Sequence, residues 1–301
     1  MNTLLVLLGP TGVGKTETSL QIAERLGSPI ISSDSRQIYR QISIGTAAPT
    51  AEQLERIPHY FVGMFEPEDY YSASQFEEDA IPLIERLLET HPYVVMSGGS
   101  MLYIDAVCKG IDEIPTIDEK LRREVNELYR KEGLDAIRSR LKILDPVFYR
   151  TVDLKNPKRV IHALEVCLMA GKPYSSLRTN PQKRRSFNIV KVGFTRPREE
   201  LYARIDRRVD QMIEDGLVEE ARKLYPKRHL NSLNTVGYKE LFEYFDGNCS
   251  LEYAIGKIKQ HSRNYARKQM TWFKKDAEIN WIDLSDSSID AVEASIRMIK
   301  R

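Results

Sequence analysis

Cysteine is scarce in this chain. The three residues, Cys108, Cys167 and Cys249, lie far apart and none has C-x-x-C spacing. That pattern argues against a disulfide framework and against a zinc site; it suits a reducing compartment, with buried thiols as the ordinary fate of all three. An excess of one charge is also missing. The formal net charge is +2, from 45 Lys and Arg against 43 Asp and Glu, so any nucleic-acid footprint has to be local. No apolar run is long enough to span a bilayer. The opening run, Leu4 to Leu8, stops at Gly9-Pro10 and has no basic segment before it. It reads as a first strand, and a cytoplasmic protein without membrane association is expected. Internal repeats and low-complexity tracts are absent too. What remains is an ordinary globular composition, 42% hydrophobic and 29% charged over 301 residues, enough for a sizeable core and about two domains.

The most informative stretch is Gly9-Pro10-Thr11-Gly12-Val13-Gly14-Lys15-Thr16. It fills every fixed position of G-x-x-x-x-G-K-[ST], the phosphate-binding loop. An unbroken apolar run precedes it, as in a buried parallel strand. A helical pattern through Leu20, Ile22, Ala23 and Leu26 follows, with Gly27 placed to stop it. In that context backbone N–H groups and a helix N-terminus point at a phosphate. Lys15 neutralises phosphate oxygens, and the Thr16 hydroxyl is a candidate ligand for Mg²⁺. The loop leaves open whose phosphates it holds.

Further strands are expected at Pro29 to Asp34, Tyr93 to Ser97, Ile189 to Phe194 and Ile279 to Leu284, with helices between several of them. Such alternation predicts an α/β fold, a P-loop NTPase-like parallel sheet flanked by helices. The stretch from Gly99 to Ile189 is too long for one crossover and carries only helical patterns. An all-helical domain at residues 117–182 is therefore expected as an insertion into a core of residues 1–116 and 183–301. In it, Asn156-Pro157 reads as an N-cap with proline in the first turn, and Gly171 as a stop. Long helices are expected at Pro197 to Leu224 and at Leu251 to Lys275.

Asp34 ends the second strand. In open α/β sheets ligands gather beyond the carboxyl ends of the strands, so Asp34 and the phosphate loop should face one crevice. A carboxylate there can take a proton from a nucleophile attacking near bound phosphates; it can equally serve as a turn residue or helix cap. The third strand matters by omission. It ends Met96-Ser97-Gly98-Gly99-Ser100, without the acid that an ATPase commonly uses to hold Mg²⁺. Its two glycines suggest close backbone approach to a ligand, or a tight turn. No Asn-Lys-x-Asp guanine-reading motif occurs either. A transferase holding a phosphorylated donor fits better than a hydrolytic switch.

Basic residues cluster downstream. Lys257, Lys259, Arg263, Arg267, Lys268, Lys274 and Lys275 share one stretch without an acid, and Tyr265, Trp272 and Phe273 are interleaved. Such a face can neutralise an RNA backbone and stack bases, or be a solvated helix whose aromatics serve the core. Arg178, Lys183, Arg184 and Arg185 form a second basic group. Lys158, Arg159 and His162 open the helix after Asn156-Pro157, where cations are unexpected unless phosphates are recruited to them.

Taken in order, these blocks resemble the tRNA dimethylallyltransferase (isopentenyltransferase) family over nearly the whole chain. The matching residues are the phosphate loop, Ser33-Asp34-Ser35-Arg36-Gln37-Ile38-Tyr39, Ile44-Gly45-Thr46-Ala47, Pro58-His59, Tyr71-Ser72-Ala73 and Gly98 to Tyr103. Asn156 to Val160, Arg204 to Met212, Val236-Gly237-Tyr238 and Arg267 to Phe273 complete the set. Ser100 stands where the family usually has Thr, so the hydroxyl survives. The chain lacks the C-terminal zinc finger of some eukaryotic members, as bacterial members do.

The resemblance implies transfer of a dimethylallyl group from dimethylallyl diphosphate to the exocyclic amine of the adenosine just 3′ of the anticodon, in tRNAs reading codons that begin with U. It implies Asp34 as general base, with Thr16 and Arg208 as catalytic partners; the family pattern selects Arg208 over the adjacent Arg207. The phosphate loop would hold the donor's pyrophosphate rather than the tail of ATP, with Mg²⁺ on Thr16 as the cofactor. It also places Asp34, Ser35, Arg36, Gln37, Ser100, Arg122, Lys158, Arg159, Val160, Ile161, His162, Asn234, Thr235, Val236, Gly237, Tyr238 and Lys239 along the path of the tRNA anticodon stem-loop, and a monomer is expected. Two other functions share the same motifs: a small-molecule kinase with Asp34 as base, and a nucleotide-gated RNA-binding protein without catalysis.

Overall fold

The computed structural model describes residues 2–179 and 182–300. Two compact units divide the chain, Met1–Cys108 with Arg184–Arg301, and Lys109–Lys183. Met1, Asn180, Pro181 and Arg301, which fall within the domain ranges expected from sequence, lie outside the described residues.

The first unit is built on a six-stranded parallel sheet, β1 (Thr3–Leu8), β2 (Ile30–Ser32), β3 (His59–Tyr60), β4 (Tyr93–Gly98), β5 (Asn188–Thr195) and β6 (Asn280–Asp283), in the order β3-β2-β4-β1-β5-β6. The α/β class is as the sequence predicts. β3, only two residues long, is the strand that no periodicity could reveal. β1 is buried along its whole length, which is why its sequence is continuously apolar rather than alternating. Leu4, Val6 and Leu8 enter the core on one face of the sheet, while Leu5 and Leu7 enter the core on the other. Each such side chain contributes roughly 1.5–3 kcal/mol by leaving water. In register, Leu8 sits beside Gly98 of β4, so the ends of the two strands coincide.

Helices α1 (Lys15–Leu26), α2 (Ser43–Thr46), α3 (Ala51–Arg56), α4 (Ala73–Thr90) and α5 (Met101–Cys108) belong to this unit before the insertion. Gly27 ends α1 at φ 59°, the left-handed cap expected of it.

The Lys109–Lys183 unit contains α6 (Glu119–Leu144), α7 (Pro146–Thr151), α8 (Pro157–Ala170) and α9 (Tyr174–Leu177), and no strand among the described residues. Asp118 caps α6 by accepting the Lys120 and Leu121 N–H groups. Gly133, at φ 77°, kinks α6, which accounts for two apolar patterns within one helix. Asn156 accepts the Arg159 N–H ahead of Pro157, and Gly171 closes α8 at φ 62°. The unit has its own apolar core, including Val125, Ile137, Leu141, Val160 and Leu164.

Back in the first unit come α10 (Arg198–Glu214), α11 (Leu217–Leu224), α12 (Tyr238–Phe245), α13 (Leu251–Phe273) and α14 (Ala291–Ile299). The single helix expected from Pro197 to Leu224 is two. Gly216 adopts φ 100° between them, a conformation that glycine tolerates and a helix interior does not. None of the three cysteines forms a disulfide among the described residues; Cys167 is buried, and Cys108 and Cys249 are partly so. Among the described residues no helix is long and apolar enough to cross a membrane.

Candidate active site

Parallel strands end on one side of a sheet, and here the ends of β1, β2 and β4 converge. Gly9 to Thr16 leaves β1, Asp34 leaves β2, and Gly98 to Ser100 leaves β4. A cavity of about 470 Å³ opens there, lined by Thr11, Gly12, Gly14, Lys15, Thr16, Asp34, Gln37, Thr46, Ser97 to Gly99, Arg204, Arg207, Arg208, Tyr265 and Gln269, among others. A second cavity, about 530 Å³, is lined by Asp34 to Arg36, Gly45, Thr46, Arg208, Asn234 to Gly237, Lys239, His261, Tyr265 and Lys268, among others. Thr11, Asp34, Thr46, Arg208 and Tyr265 line both.

The loop folds as its glycines require. Gly9, Gly12 and Gly14 have φ of 152°, 80° and 113°. Lys15 donates from Nζ to the carbonyls of Gly9 at 2.8 Å and Pro10 at 2.9 Å. Burial lowers its pKa to about 7; the positive charge of Arg208 adds to this and Asp34 opposes it. An ammonium so placed gains most when an anion enters. The loop is also braced by arginines: Arg196 donates to the Val13 carbonyl at 2.8 Å and Arg204 to that of Gly12 at 3.0 Å. The Thr16 hydroxyl is exposed and has no hydrogen-bond partner among the described residues.

Asp34 accepts the backbone N–H groups of Arg36 at 2.9 Å and Gln37 at 3.4 Å, both through Oδ1. It is thus a turn former, one of the two roles its sequence leaves open, and it lines both cavities. Arg208 reaches Oγ1 of Thr11 at 3.4 Å and the Thr46 carbonyl at 3.5 Å. Burial lowers its pKa, against the pull of Asp34, though an arginine stays charged at any ordinary pH. Arg207 lines the first cavity too but is exposed.

The two glycines at the end of β4, Gly98 within it and Gly99 just after, make their close approach to the protein itself. A Cβ on Gly98 would lie 2.4 Å from Oγ of Ser33, and one on Gly99 would lie 2.4 Å from Nε2 of Gln269. Ser100 is buried; its Oγ accepts the Ser35 N–H at 2.8 Å and donates to Oγ of Ser35 at 3.1 Å. It therefore anchors the Asp34 turn from β4.

Of the other sequence-predicted positions, Asn234, Thr235, Val236, Gly237 and Lys239 line the second cavity together with Ser35 and Arg36. Tyr238 does not; its ring is fully buried and its hydroxyl donates to Glu220. Arg122, Lys158, Arg159, Val160, Ile161 and His162 all lie in the helical unit. Lys158, Arg159 and His162 are exposed on α8, Ile161 is partly buried, and Val160 is wholly buried in the unit's core. Arg122 and His162 both approach the buried Glu165, at 3.9 and 3.8 Å.

The basic helix is less available than its sequence suggests. Lys259 pairs with Asp210 and Arg263 with Asp206. Phe273 is core, and Trp272 donates from Nε1 to Asp105 at 2.8 Å. Tyr265 alone of the three aromatics faces the cavities, and burial, with the negative charge of Asp34, pushes its hydroxyl up to about 12. Gln269 went unassigned at the sequence level. Its Oε1 accepts the Thr11 N–H at 2.9 Å and its Nε2 donates to the Gly99 carbonyl at 2.8 Å, tying the phosphate loop to the end of β4. Its signal was faint, one of three neutral amides within a run of cations.

The sequence matches the family described as IPP transferase over residues 37–276, which begin just after the phosphate loop and Asp34. It is 62% identical over 280 residues to tRNA dimethylallyltransferase 1 of Phocaeicola vulgatus, covering 93% of each chain. It is 58% identical over 297 residues to tRNA dimethylallyltransferase 1 of Bacteroides fragilis, covering 98% of this chain and 99% of that one. Among solved structures, the full-length tRNA isopentenylpyrophosphate transferase of Bacillus halodurans superposes with a TM-score of 0.71 at 36% identity, over 100% of this chain and 95% of that one. A eukaryotic dimethylallyltransferase captured acting on tRNA matches with a TM-score of 0.84 over 100% of this chain and 79% of that one; at 24% identity this likeness is one of fold alone.

Proposed function

The chain belongs to the IPP transferase family and is a prenyl-transferring enzyme, and from that premise we propose that it is a tRNA dimethylallyltransferase. It moves the dimethylallyl group of dimethylallyl diphosphate to the exocyclic amine of the adenosine just 3′ of the anticodon, in tRNAs reading codons that begin with U.

One observation carries this reading. Two cavities share Asp34, Arg208, Thr11, Thr46 and Tyr265 as a common wall. A diphosphate in the first and a base in the second would have one carboxylate and one guanidinium between them. An adenine amine is a weak nucleophile, because its lone pair is delocalised into the ring. In the proposed step its nitrogen attacks the allylic carbon, the bond from that carbon to the diphosphate oxygen breaks, and the amine proton passes to Asp34. Oδ1 of Asp34 is occupied by backbone N–H groups, which leaves Oδ2 to meet the amine. Diphosphate departs with the bonding electrons, and Lys15, the loop N–H groups and Arg208 stabilise the charge that gathers on it. The adenosine must leave its stack to reach this wall, at a cost of a few kcal/mol (~) typical of base-modifying enzymes.

The donor set suits Mg²⁺. Thr16 offers a free hard oxygen, and this ion ordinarily completes its shell from phosphate oxygens and water rather than from a protein cage. A bound ion would neutralise part of the diphosphate charge. We assign Lys158, Arg159 and His162 of the helical unit, and Asn234 to Gly237 with Lys239, to the tRNA backbone.

The test is incubation with labelled dimethylallyl diphosphate and unmodified tRNA, followed by nucleoside analysis. A labelled adenosine is expected. ATP consumption with phosphorylation of a small alcohol, and no labelled nucleoside, would replace this reading with a kinase.

A further inference from the structure

The turn α2 (Ser43–Thr46) has little to hold it by itself. It is four residues long and ends at Ala47 with φ 45°, a left-handed conformation unfavourable for a residue with a Cβ. A carboxylate from α11 grips its beginning. Oε2 of Glu220 accepts the Ile44 N–H at 2.9 Å, and Oε1 accepts the Gly45 N–H at 3.0 Å together with the Tyr238 hydroxyl. Gly45 is pressed against that tyrosine so closely that a Cβ would lie 2.6 Å from its ring. The end of the turn is held by groups of the site. Gln37 donates from Nε2 to the carbonyls of Thr46 at 3.2 Å and Ala47 at 3.0 Å, and Arg208 reaches the Thr46 carbonyl at 3.5 Å. Gln37, Thr46 and Arg208 all line the first cavity; Glu220 lines neither.

We infer that Glu220 is a positioning residue for the transfer, acting through α2 to fix the Thr46 carbonyl that orients Arg208. The inference rests on the proposed function. Its chemistry requires a carboxylate specifically. Each oxygen of Glu220 meets a backbone N–H that cannot rotate away. Either orientation of a glutamine amide therefore sets its NH₂ against a donor. The substitution Glu220→Gln keeps size and shape and removes the grip.

A double-mutant cycle between Glu220→Gln and Arg208→Gln separates this role from general stabilisation of the fold. Glu220→Gln alone should lower kcat by about tenfold or more, as misplacement of a catalytic group does, with KM for tRNA within about twofold. In the Arg208→Gln background the same change should cost less than about twofold, because the group it positions is gone. An unchanged kcat, or equal losses in both backgrounds, overturns the inference. Should Glu220→Gln fail to fold, the cycle is run with Glu220→Asp, which keeps the charge and shortens the reach, and equal losses there overturn it as well. Titration with inorganic diphosphate reads the same coupling without turnover: several-fold weaker binding in Glu220→Gln, and no further weakening on top of Arg208→Gln. A wild-type protein inert towards tRNA and the allylic donor refutes the proposed function and leaves this titration to decide the role of Glu220.

Discussion

The two cavities share five wall residues and differ in what they add to that wall. The first adds one unbroken stretch, Gly9 to Thr16, shaped by glycine conformations, together with the end of β4 and further residues of α10 and α13. The second is assembled from segments far apart in sequence: the Asp34 turn, α2, α10, the loop before α12, and α13. A phosphate is small, and a local backbone shape suffices to bind it. A nucleoside is large and polar on several edges, so its site has to be gathered from many elements. The shared wall is where the two designs meet, and the comparison can be broken there.

The largest effect is expected at Asp34. Asp34→Asn should lower single-turnover transfer by about a thousandfold, within the range for loss of a general base, while tRNA affinity by filter binding stays within about twofold. Turnover at the wild-type rate would remove Asp34 from the chemistry and make the wall a mere boundary. Next comes the arginine pair. Arg208, partly buried and bonded to Thr11, should cost about a hundredfold in kcat as Arg208→Gln, the scale of losing one donor to a developing charge. Arg207→Gln, at an exposed position, should cost less than about threefold, as screened surface charges do. The reverse ranking would reassign the guanidinium.

The same contrast explains what was legible in the sequence. The sheet, the loop and Asp34 were readable because continuous apolar strands and a glycine loop are short-range signals. β3 was not, since two residues carry no period. The Pro197 to Leu224 helix was read as one, because its apolar spacing continues across Gly216 and only φ 100° there reveals the break. The pairing of the basic helix is hidden in its own sequence because its acidic partners, Asp206 and Asp210, belong to α10. Glu220 and Gln269 were invisible for a related reason. Each acts on backbone groups of a segment remote in sequence, α2 for the first and the phosphate loop with Gly99 for the second, and nothing in their local context marks such a bond.

The first cavity should also be sensitive to pH through Lys15. Its pKa is about 7 in the free site because burial and Arg208 disfavour its charge. A bound diphosphate favours the charge and raises that value. Above about pH 7 the complex therefore holds a proton that the free protein lacks, and binding takes one up. The Kd for inorganic diphosphate should rise about tenfold per pH unit above this point until the bound-state value is reached. Lys15→Arg should flatten the profile, since a guanidinium does not titrate there. A flat wild-type profile would mean that Lys15 stays charged without a ligand.

The smallest effects belong to the helical unit, where Lys158 and Arg159 stand exposed on α8. Each, changed to Ala, should raise KM for tRNA a few-fold and reduce the salt slope of tRNA binding by about one, as loss of a phosphate contact does. Diphosphate affinity and kcat should remain within about twofold. Such a result assigns the unit to holding RNA and leaves the chemistry to the wall between the cavities. A fall in kcat at saturating tRNA would instead mean that α8 helps to set the reacting geometry, and the division between a locally encoded donor site and a gathered acceptor site would have to include the helical unit.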